Sequence, residues 1–321
     1  MVAGRRLPSG LRRAIHAASR PAPAADQPAP GKGLAMRIMN YATRDVVTLS
    51  PGDSIDRAIS IMEERGFHHL IVRENHRVAG MVSDRDILLS TGWMLAVERQ
   101  ADPGKPRSVI GPTLIGQIMS SPVHCAMPTL GAYEAARIFV ERRIGALPIV
   151  DGDLLLGILT QTDLLCGLRD HFRMDDLADR LLESPISSLM HPRIVTTAPT
   201  SAIFEIVSIF RHHHIRHVPV VENEKLVGIL SDRDVRRAIG WAHIRDMQAE
   251  AQSRVFEAPV VVEDIMQRDV RTVAPGETVR DALAKMLESR FHSLPVVQDD
   301  RLVGIVTQTD FLNAVAREFL L

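Results

Sequence analysis

A fourfold internal repeat constrains the fold of this chain more than any other feature. In each copy, counted from a proline, an aliphatic residue follows after 19 positions and a glycine after 29. A serine or threonine follows after 32 positions and an aspartate after 35, with no insertion in any copy. Spacing kept four times over predicts four copies of one structural unit. The four prolines are Pro51, Pro128, Pro199 and Pro275.

The apolar pattern within a copy predicts its secondary structure. Ile55, Ala58, Ile59 and Met62 recur at the spacing of an amphipathic helix, and the other copies repeat this stripe. Two short apolar runs then predict a pair of buried strands, and the hydroxyl residue opens a second helix. A further short strand is expected before each proline, as at 193–197. The unit is β-α-β-β-α, and because one copy is too small to cover its sheet alone, copies are expected in pairs.

The endings of the copies indicate that a pair of copies was duplicated. The first and third copies end in SDRD, whereas the second and fourth end in TQTD. Gly92-Trp93 and Gly240-Trp241 stand 148 residues apart, which is also the separation of Pro51 from Pro199. We therefore expect two modules. They are residues 36–175, with repeats at about 38–92 and 118–169, and residues 176–321, with repeats at about 189–240 and 265–318.

Residues 1–35 differ from the rest of the chain. Residues 1–25 contain five arginines and no acidic residue, and residues 20–33 are rich in proline, alanine and glycine. Such a segment buries too little apolar surface to offset the entropy of ordering, so a disordered tail is predicted. Its role stays open between a targeting segment, a leader without function and a start placed too early, with Met36 as the true first residue.

Composition limits the classes of function. A net charge of −1 and thirteen aromatic residues (two Trp, two Tyr, nine Phe) argue against a general nucleic-acid or membrane-surface binder. Cys125 and Cys166 are too few for a disulfide framework, and no apolar run approaches the roughly 18 residues of a membrane span. Phosphate-binding loops, nucleophile elbows and dinucleotide fingerprints are absent from the sequence. A soluble, cytoplasmic protein without catalytic activity is expected.

The repeat resembles the cystathionine β-synthase (CBS) domain. The resemblance rests on the β-α-β-β-α unit, the Gly-x-x-Ser/Thr-x-x-Asp ending and the pairing of copies, and it covers nearly everything from Met39 to Ala316. It implies an α/β (α+β) fold in which two repeats pack with pseudo-twofold symmetry into a Bateman module. It also implies clefts for adenosine derivatives, as in four-repeat CBS proteins and the γ subunit of AMP-activated protein kinase.

The resemblance implies a role for each repeat ending. The aspartate holds the ribose hydroxyls and the hydroxyl residue lies beside the phosphate. An ionised carboxylate can accept from both ribose hydroxyls, and a helix N-terminus suits a phosphate. The same residues could instead only cap the helix, as in a capping box. The aspartates are Asp86, Asp163, Asp234 and Asp310, and the hydroxyl residues are Ser83, Thr160, Ser231 and Thr307.

Further residues on the phosphate side distinguish the repeats. Odd repeats carry an arginine inside the ending, where even repeats carry a threonine, so the odd repeats suit an anionic ligand. Solvated arginines at a helix end are the alternative. The second repeat has Gly145-Ala146 where the others have basic residues. The candidates are Arg85, Arg233, Thr162, Thr309, His68, His69, Arg216, His217 and His292.

The run Arg211-His212-His213-His214 does not predict a metal site, because no cysteine or carboxylate cluster adjoins it. The sequence therefore predicts no metal and no catalytic cofactor. The expected function is a sensor of AMP, ADP, ATP or S-adenosylmethionine that signals to an unidentified partner protein. Two alternatives remain: a ligand-free interaction scaffold, and binding of RNA or single-stranded DNA, which the near-zero charge disfavours. The expected assembly is a monomeric pseudo-dimer or a homodimer.

Overall fold

The computed structural model describes residues 36–90, 112–171, 176–213, 215–239, 261–289 and 291–319. Residues 36–321 form one compact unit. The expected tail at 1–35 and the pairs Gly92-Trp93 and Gly240-Trp241 lie outside the described residues.

The predicted α/β fold is confirmed. Each repeat contains a helix, an antiparallel strand pair and a second helix. The strands are β1 (Thr48–Leu49), β2 (His69–Glu74), β3 (Arg77–Ser83), β4 (Ala146–Asp151), β5 (Leu154–Thr160), β6 (His217–Glu222), β7 (Lys225–Ser231), β8 (Ser293–Gln298) and β9 (Arg301–Thr307). The helices are α1 (Ile55–Arg65), α2 (Asp84–Ser90), α3 (Ala132–Arg142), α4 (Gln161–His171), α5 (Asp176–Glu183), α6 (Ile203–His213), α7 (Asp232–Ile239), α8 (Val279–Glu288) and α9 (Gln308–Phe319).

Local chemistry sets the ends of the first helix in a repeat. The Ser54 side chain accepts from the Arg57 backbone N–H at 3.2 Å and so caps α1, which ends at Gly66 with a φ of 69°. Thr278 caps α8 in the same way, accepting from the backbone N–H of Asp281. The predicted apolar stripe of α1 is buried.

The strand pairs share one register. In each, the first strand residue lies opposite the hydroxyl residue that ends the second strand, as His69 does opposite Ser83. A register shift interrupts every pair near its turn, as between Val72 and Arg73. In the first, third and fourth repeats both turn residues have positive φ, for example Asn223 (50°) and Glu224 (66°).

The strands expected before the prolines are shorter than predicted. Of the four segments before the prolines, all of which lie within the described residues, only the one before Pro51 forms a strand. This strand is β1, which is two residues long and parallel to β2. At the position of the predicted strand 193–197 a single parallel bridge joins Thr197 to Val220. The chain leaves the sheet directly afterwards at Pro199, which has no N–H to donate to a ladder.

An additional helix, α5, connects the second and third repeats. Arg280 on α8 binds it through two carboxylates, with Nε donating to Glu183 at 2.9 Å and Nη2 donating to Asp179 at 2.8 Å. The repeat pattern did not predict this helix, because it lies outside the repeated unit.

The hydrophobic cores cross the expected module boundary. One core joins the second and fourth repeats, where α3 packs against α9. The other core joins the first and third repeats. Strand contacts connect the two repeats within each expected module. Strand β3 of the first repeat contacts β5 of the second, and β7 of the third pairs with β9 of the fourth at Lys225 and Arg301. The two-module division stays a prediction from the repeat order, and residues 36–321 are one unit because each core draws on both expected modules.

Candidate functional site

The repeat endings form the same hydrogen-bonded turn four times. In the first repeat the backbone N–H and the hydroxyl of Ser83 both donate to Oδ2 of Asp86, each at 2.7 Å. The Asp86 backbone N–H returns a bond of 3.2 Å to Ser83 Oγ. In the other repeats the hydroxyl donates to the same carboxylate oxygen. These distances are 2.7 Å for Thr160–Asp163, 2.5 Å for Ser231–Asp234 and 2.8 Å for Thr307–Asp310.

In the first three repeats the turn has the reciprocal bonding of a capping box, so the capping role that the sequence left open is present in the structure. It uses only one oxygen of each carboxylate. The second oxygen, Oδ1, decides what else the aspartate can bind.

The environment of Oδ1 differs between the repeats. In the third repeat Gln267 Nε2 donates to Asp234 Oδ1 at 3.1 Å, and in the fourth His191 Nε2 donates to Asp310 Oδ1 at 2.7 Å. In the part of the chain that the structure describes, Oδ1 of Asp86 and Asp163 has no hydrogen-bond partner. Burial raises the pKa of Asp163, and the two bonds from Thr160 partly offset this.

Sequence reasoning missed His191 and Gln267. A signal for both was present, since each stands eight positions before an anchor proline, Pro199 and Pro275. This part of the repeat is less regular in sequence, because the four residues at the equivalent position (Thr43, Ser120, His191 and Gln267) differ in type.

The repeated glycine makes room for a neighbouring segment of protein. A methyl group at Gly228 or Gly304 would lie 2.6 Å from the sulfur of Met266 or Met190, and Gly80 meets Met119 in the same way. In the second repeat a backbone carbonyl fills the space, since a methyl group at Gly157 would lie 2.8 Å from the oxygen of Thr43. These contacts hold the segments that contain Thr43, Met119, Met190 and Met266 beside the strands that lead to the repeat endings.

The histidines predicted on the phosphate side are largely engaged with protein. His68 Nδ1 bonds Asp84 Oδ2 at 2.8 Å. The ring of His69 lies against Gly145, where a methyl group would come within 2.9 Å of two ring atoms. The glycine that distinguishes the second repeat therefore accommodates the histidine of the first.

His217 and His292 occupy the corresponding place in the other pair of repeats. Their rings stack with centroids 6.5 Å apart. The pKa of each imidazole is lowered to about 4, first of all by burial and in the same direction by the positive charges of Arg216 and Arg233. Both rings are therefore neutral at pH 7 and would meet a phosphate as neutral groups.

Thr162 connects two repeats that are distant in sequence. Its hydroxyl donates to Gln308 Oε1 at 3.1 Å, and the same amide oxygen accepts from His292 Nδ1 at 3.1 Å. A carbonyl oxygen can only accept, so Nδ1 of His292 carries the proton. The hydroxyl that the sequence placed on the phosphate side thus bridges the second and fourth repeats.

The remaining candidates are more accessible. Arg85 and Arg233 are half-buried, while Arg216 and Thr309 are exposed. The exposed His212 and His213 lie at the end of α6, and His214 is outside the described residues. Among the described residues no group of three His, Cys, Asp or Glu side chains could hold a metal ion. The described helices include none with the length and apolar character of a membrane span.

Four repeated units that each end in a hydroxyl–aspartate turn define a tandem-repeat fold. The family model described as the CBS domain matches residues 38–90, 115–170, 186–240 and 262–317. The chain belongs to the CBS domain family. This confirms the resemblance on which the site residues were assigned.

Similar proteins include some that align over most of this chain and over nearly their whole own length. Protein MJ1225 of Methanocaldococcus jannaschii is 25% identical over 88% of this chain and 99% of its own length. Its crystal structure, described as that of a suggested archaeal homologue of g-AMPK, has a TM-score of 0.70 at 24% identity over 87% of this chain and 99% of that one. An uncharacterised conserved protein from Pyrococcus horikoshii has a TM-score of 0.58 at 18% identity, covering 87% of this chain and 100% of that one. These structures share the fold.

Proposed function

We propose that this protein is a non-catalytic regulator that binds adenosine-containing ligands at its repeat endings and signals to a partner protein. The candidate ligands are AMP, ADP, ATP and S-adenosylmethionine. The observation that carries the proposal is the state of Asp86 and Asp163, each with one oxygen held by the turn and the other without a bond in the described structure.

The chemistry of this arrangement fits a ribose. The turn fixes the position of the carboxylate before any ligand arrives, so less freedom is lost on binding. The second oxygen can accept from the vicinal hydroxyls of a ribose. The turn also begins a helix, whose N–H groups favour a phosphate, and Arg85 lies one residue before Asp86. Partner recognition would then follow from different affinities of the ligand for different states of the protein.

A substitution can separate ribose binding from capping. Asparagine can keep the turn, because its amide oxygen can accept from Ser83 or Thr160 as Oδ2 does. Its NH2 group, however, offers a donor where the second carboxylate oxygen offers an acceptor. Asp86→Asn with Asp163→Asn should therefore weaken adenosine and AMP about tenfold or more, the scale of a bond to a charged group. The melting temperature without ligand should barely change.

The chain contains a matched control. Thr278 and Asp281 form the same kind of turn at the start of α8, with the hydroxyl donating to the carboxylate at 2.8 Å, and this turn is not a repeat ending. Asp281→Asn should leave ligand affinity unchanged. Calorimetry with adenosine, AMP, ATP and S-adenosylmethionine measures all three proteins. Equal affinities in the double variant and the wild type would refute the ribose role.

A ligand-free scaffold is the second candidate, and the bond between the hydroxyl and the carboxylate in all four turns favours it, because these groups find partners within the protein. A ligand present at a hundred times its Kd should raise the free energy of unfolding by about 2.7 kcal/mol per site. If no adenosine compound shifts the melting temperature, the scaffold is the better assignment. We further propose that the protein is cytoplasmic and acts as a monomeric pseudo-dimer or a homodimer. Light scattering distinguishes the two assemblies.

A further inference from the structure

One backbone position near the start of each repeat is held in the same way four times. A short 3₁₀ turn begins with a buried residue, such as Ile186, and five residues later the chain pairs with the strand that leads to a repeat ending. The backbone N–H and C=O of the paired residue both bond to the residue two positions before the hydroxyl. The paired residues are Thr43, Ser120, His191 and Gln267, and their partners are Ile158, Met81, Ile305 and Ile229.

In all four cases this backbone pairing joins a residue of one repeat to a strand of the other repeat in the same pair. His191 lies near the start of the third repeat and pairs with the strand of the fourth, at an N–O distance of 2.9 Å. Gln267 lies near the start of the fourth repeat and pairs with the strand of the third, also at 2.9 Å. Each of the four positions is thus held beside the strand that leads to the aspartate of the companion repeat, and all four residues are exposed.

The side chains at this position differ in reach. His191 and Gln267 are long enough to bond Oδ1 of Asp310 and Asp234. Thr43 and Ser120 have short side chains, and within the described residues neither bonds the corresponding Asp163 or Asp86. The His191 side chain is 64% exposed while that of Asp310 is 9% exposed, so the imidazole lies between the buried carboxylate and solvent.

We propose that His191 and Gln267 are specificity-determining residues that occupy the ribose acceptors of the second pair of repeats. A ribose reaches Asp310 or Asp234 only after breaking an internal hydrogen bond, whereas Asp86 and Asp163 accept it directly. The first pair of repeats therefore fills at lower ligand concentration than the second. This inference rests on the proposed function, because it assigns an order of filling to the same sites.

The test exchanges the side chains at the shared backbone position. His191→Ser with Gln267→Ser gives the second pair the residue that the first pair carries at Ser120. The reciprocal variant, Ser120→His, introduces a long side chain beside Asp86. Binding of adenosine is measured by calorimetry on the full chain, and Asp86→Asn with Asp163→Asn is used as a background in which residual binding reports the second pair.

The inference predicts changes that differ by site. In the background of Asp86→Asn with Asp163→Asn, the substitutions His191→Ser and Gln267→Ser should raise the affinity for adenosine about tenfold. This is the scale of a displaced hydrogen bond to a carboxylate. Ser120→His should lower the affinity of the first pair by a similar factor. Neither change should alter the affinity for 2′,3′-dideoxyadenosine, which lacks the hydroxyls that compete for the carboxylate. A general structural effect would alter both ligands.

Other outcomes are distinguishable. Unchanged or lower adenosine affinity in the serine double variant overturns this inference while the proposed function stands, because the wild type still binds. An equal gain for adenosine and the dideoxy compound also overturns it. Absence of binding in every protein, the wild type included, overturns the proposed function and this inference with it.

Discussion

The imidazole rings of His217 and His292 stack with centroids 6.5 Å apart and planes inclined by 21°, and so join the third repeat to the fourth. His292 also bonds Gln308, which accepts from Thr162 of the second repeat. Three of the four repeats therefore meet at neutral polar side chains, of which Gln308 is buried and His217, His292 and Thr162 are half-buried. The stability of this contact depends on keeping both imidazoles uncharged.

The first prediction concerns acid stability. Both imidazoles have a folded pKa of about 4 against about 6.5 in an unfolded chain, so between these values the unfolded state binds more protons. Their contribution to stability is complete above pH 6.5 and is lost as pH falls toward 4. The loss is on the order of 3 kcal/mol for each histidine at most. Denaturant unfolding at a series of pH values measures it.

The control for that prediction is the double variant His217→Gln with His292→Gln, which lacks both titrating imidazoles. The difference in unfolding free energy between wild type and variant should shrink from pH 7 to pH 4. A constant difference would show that the two imidazoles do not titrate in this range. Other ionisable groups cancel in the comparison because both proteins carry them.

A second prediction concerns the repeated glycine. Gly304→Ala should destabilise the protein by about 1–3 kcal/mol, since the new methyl group would lie 2.6 Å from the Met190 sulfur and overpacking costs this much. Gly52→Ala is the control, because a methyl group there meets no atom within 4 Å. Thermal unfolding measures both. Adding Met190→Ala should recover part of the loss, and equal melting temperatures of the two glycine variants would count against the packing role.

The third prediction concerns the bridge between the second and fourth repeats. Thr162→Val removes the bond to Gln308 with little change in side-chain size, and should lower the free energy of unfolding by about 1 kcal/mol. Thr309 occupies the equivalent position in the fourth repeat and is exposed, so Thr309→Val should change it by less than about 0.5 kcal/mol. Urea unfolding compares the two. Similar effects at both sites would deny Thr162 a bridging role.

The fourth prediction concerns discrimination by charge. Arg85→Ala with Arg233→Ala should weaken ATP and AMP about tenfold or more, because an arginine side chain binds a phosphate with a charge-assisted bond. Adenosine has no phosphate, so its affinity should hardly change. Calorimetry on the one variant with all three ligands makes the comparison internal. Parallel losses for adenosine and ATP would exclude a phosphate-specific role for these arginines.

Local features of the repeat were predictable from the sequence because they depend on short spacings. An apolar residue every three or four positions can only be buried together on a helix, and Ser83 and Asp86 are three residues apart at a helix start, which suffices for the capping turn. The strand pairs followed from apolar runs separated by turn residues. The strands before the prolines were overestimated, because apolar character alone does not show how many residues can pair.

The side chains that complete the site were not predictable in this way. Nothing local connects His191 to Asp310, which is 119 residues away, or Thr162 to Gln308, which is 146 residues away. Burial of His217 and His292, which makes them neutral, likewise depends on atoms from other repeats. Their residue type alone suggested cationic phosphate ligands.

The repeat, its helices and strand pairs, and the turn that orients each aspartate follow from the amino-acid pattern alone, since all of these depend on contacts within a few residues. Tertiary packing sets which repeats share a core, which carboxylate oxygens stay open and which histidines are buried. These properties depend on packing between repeats, and the four copies present nearly the same apolar faces to one another. The side chains that differ between copies, such as Ser120 and His191, acquire their distinct roles only when that packing brings them to a carboxylate.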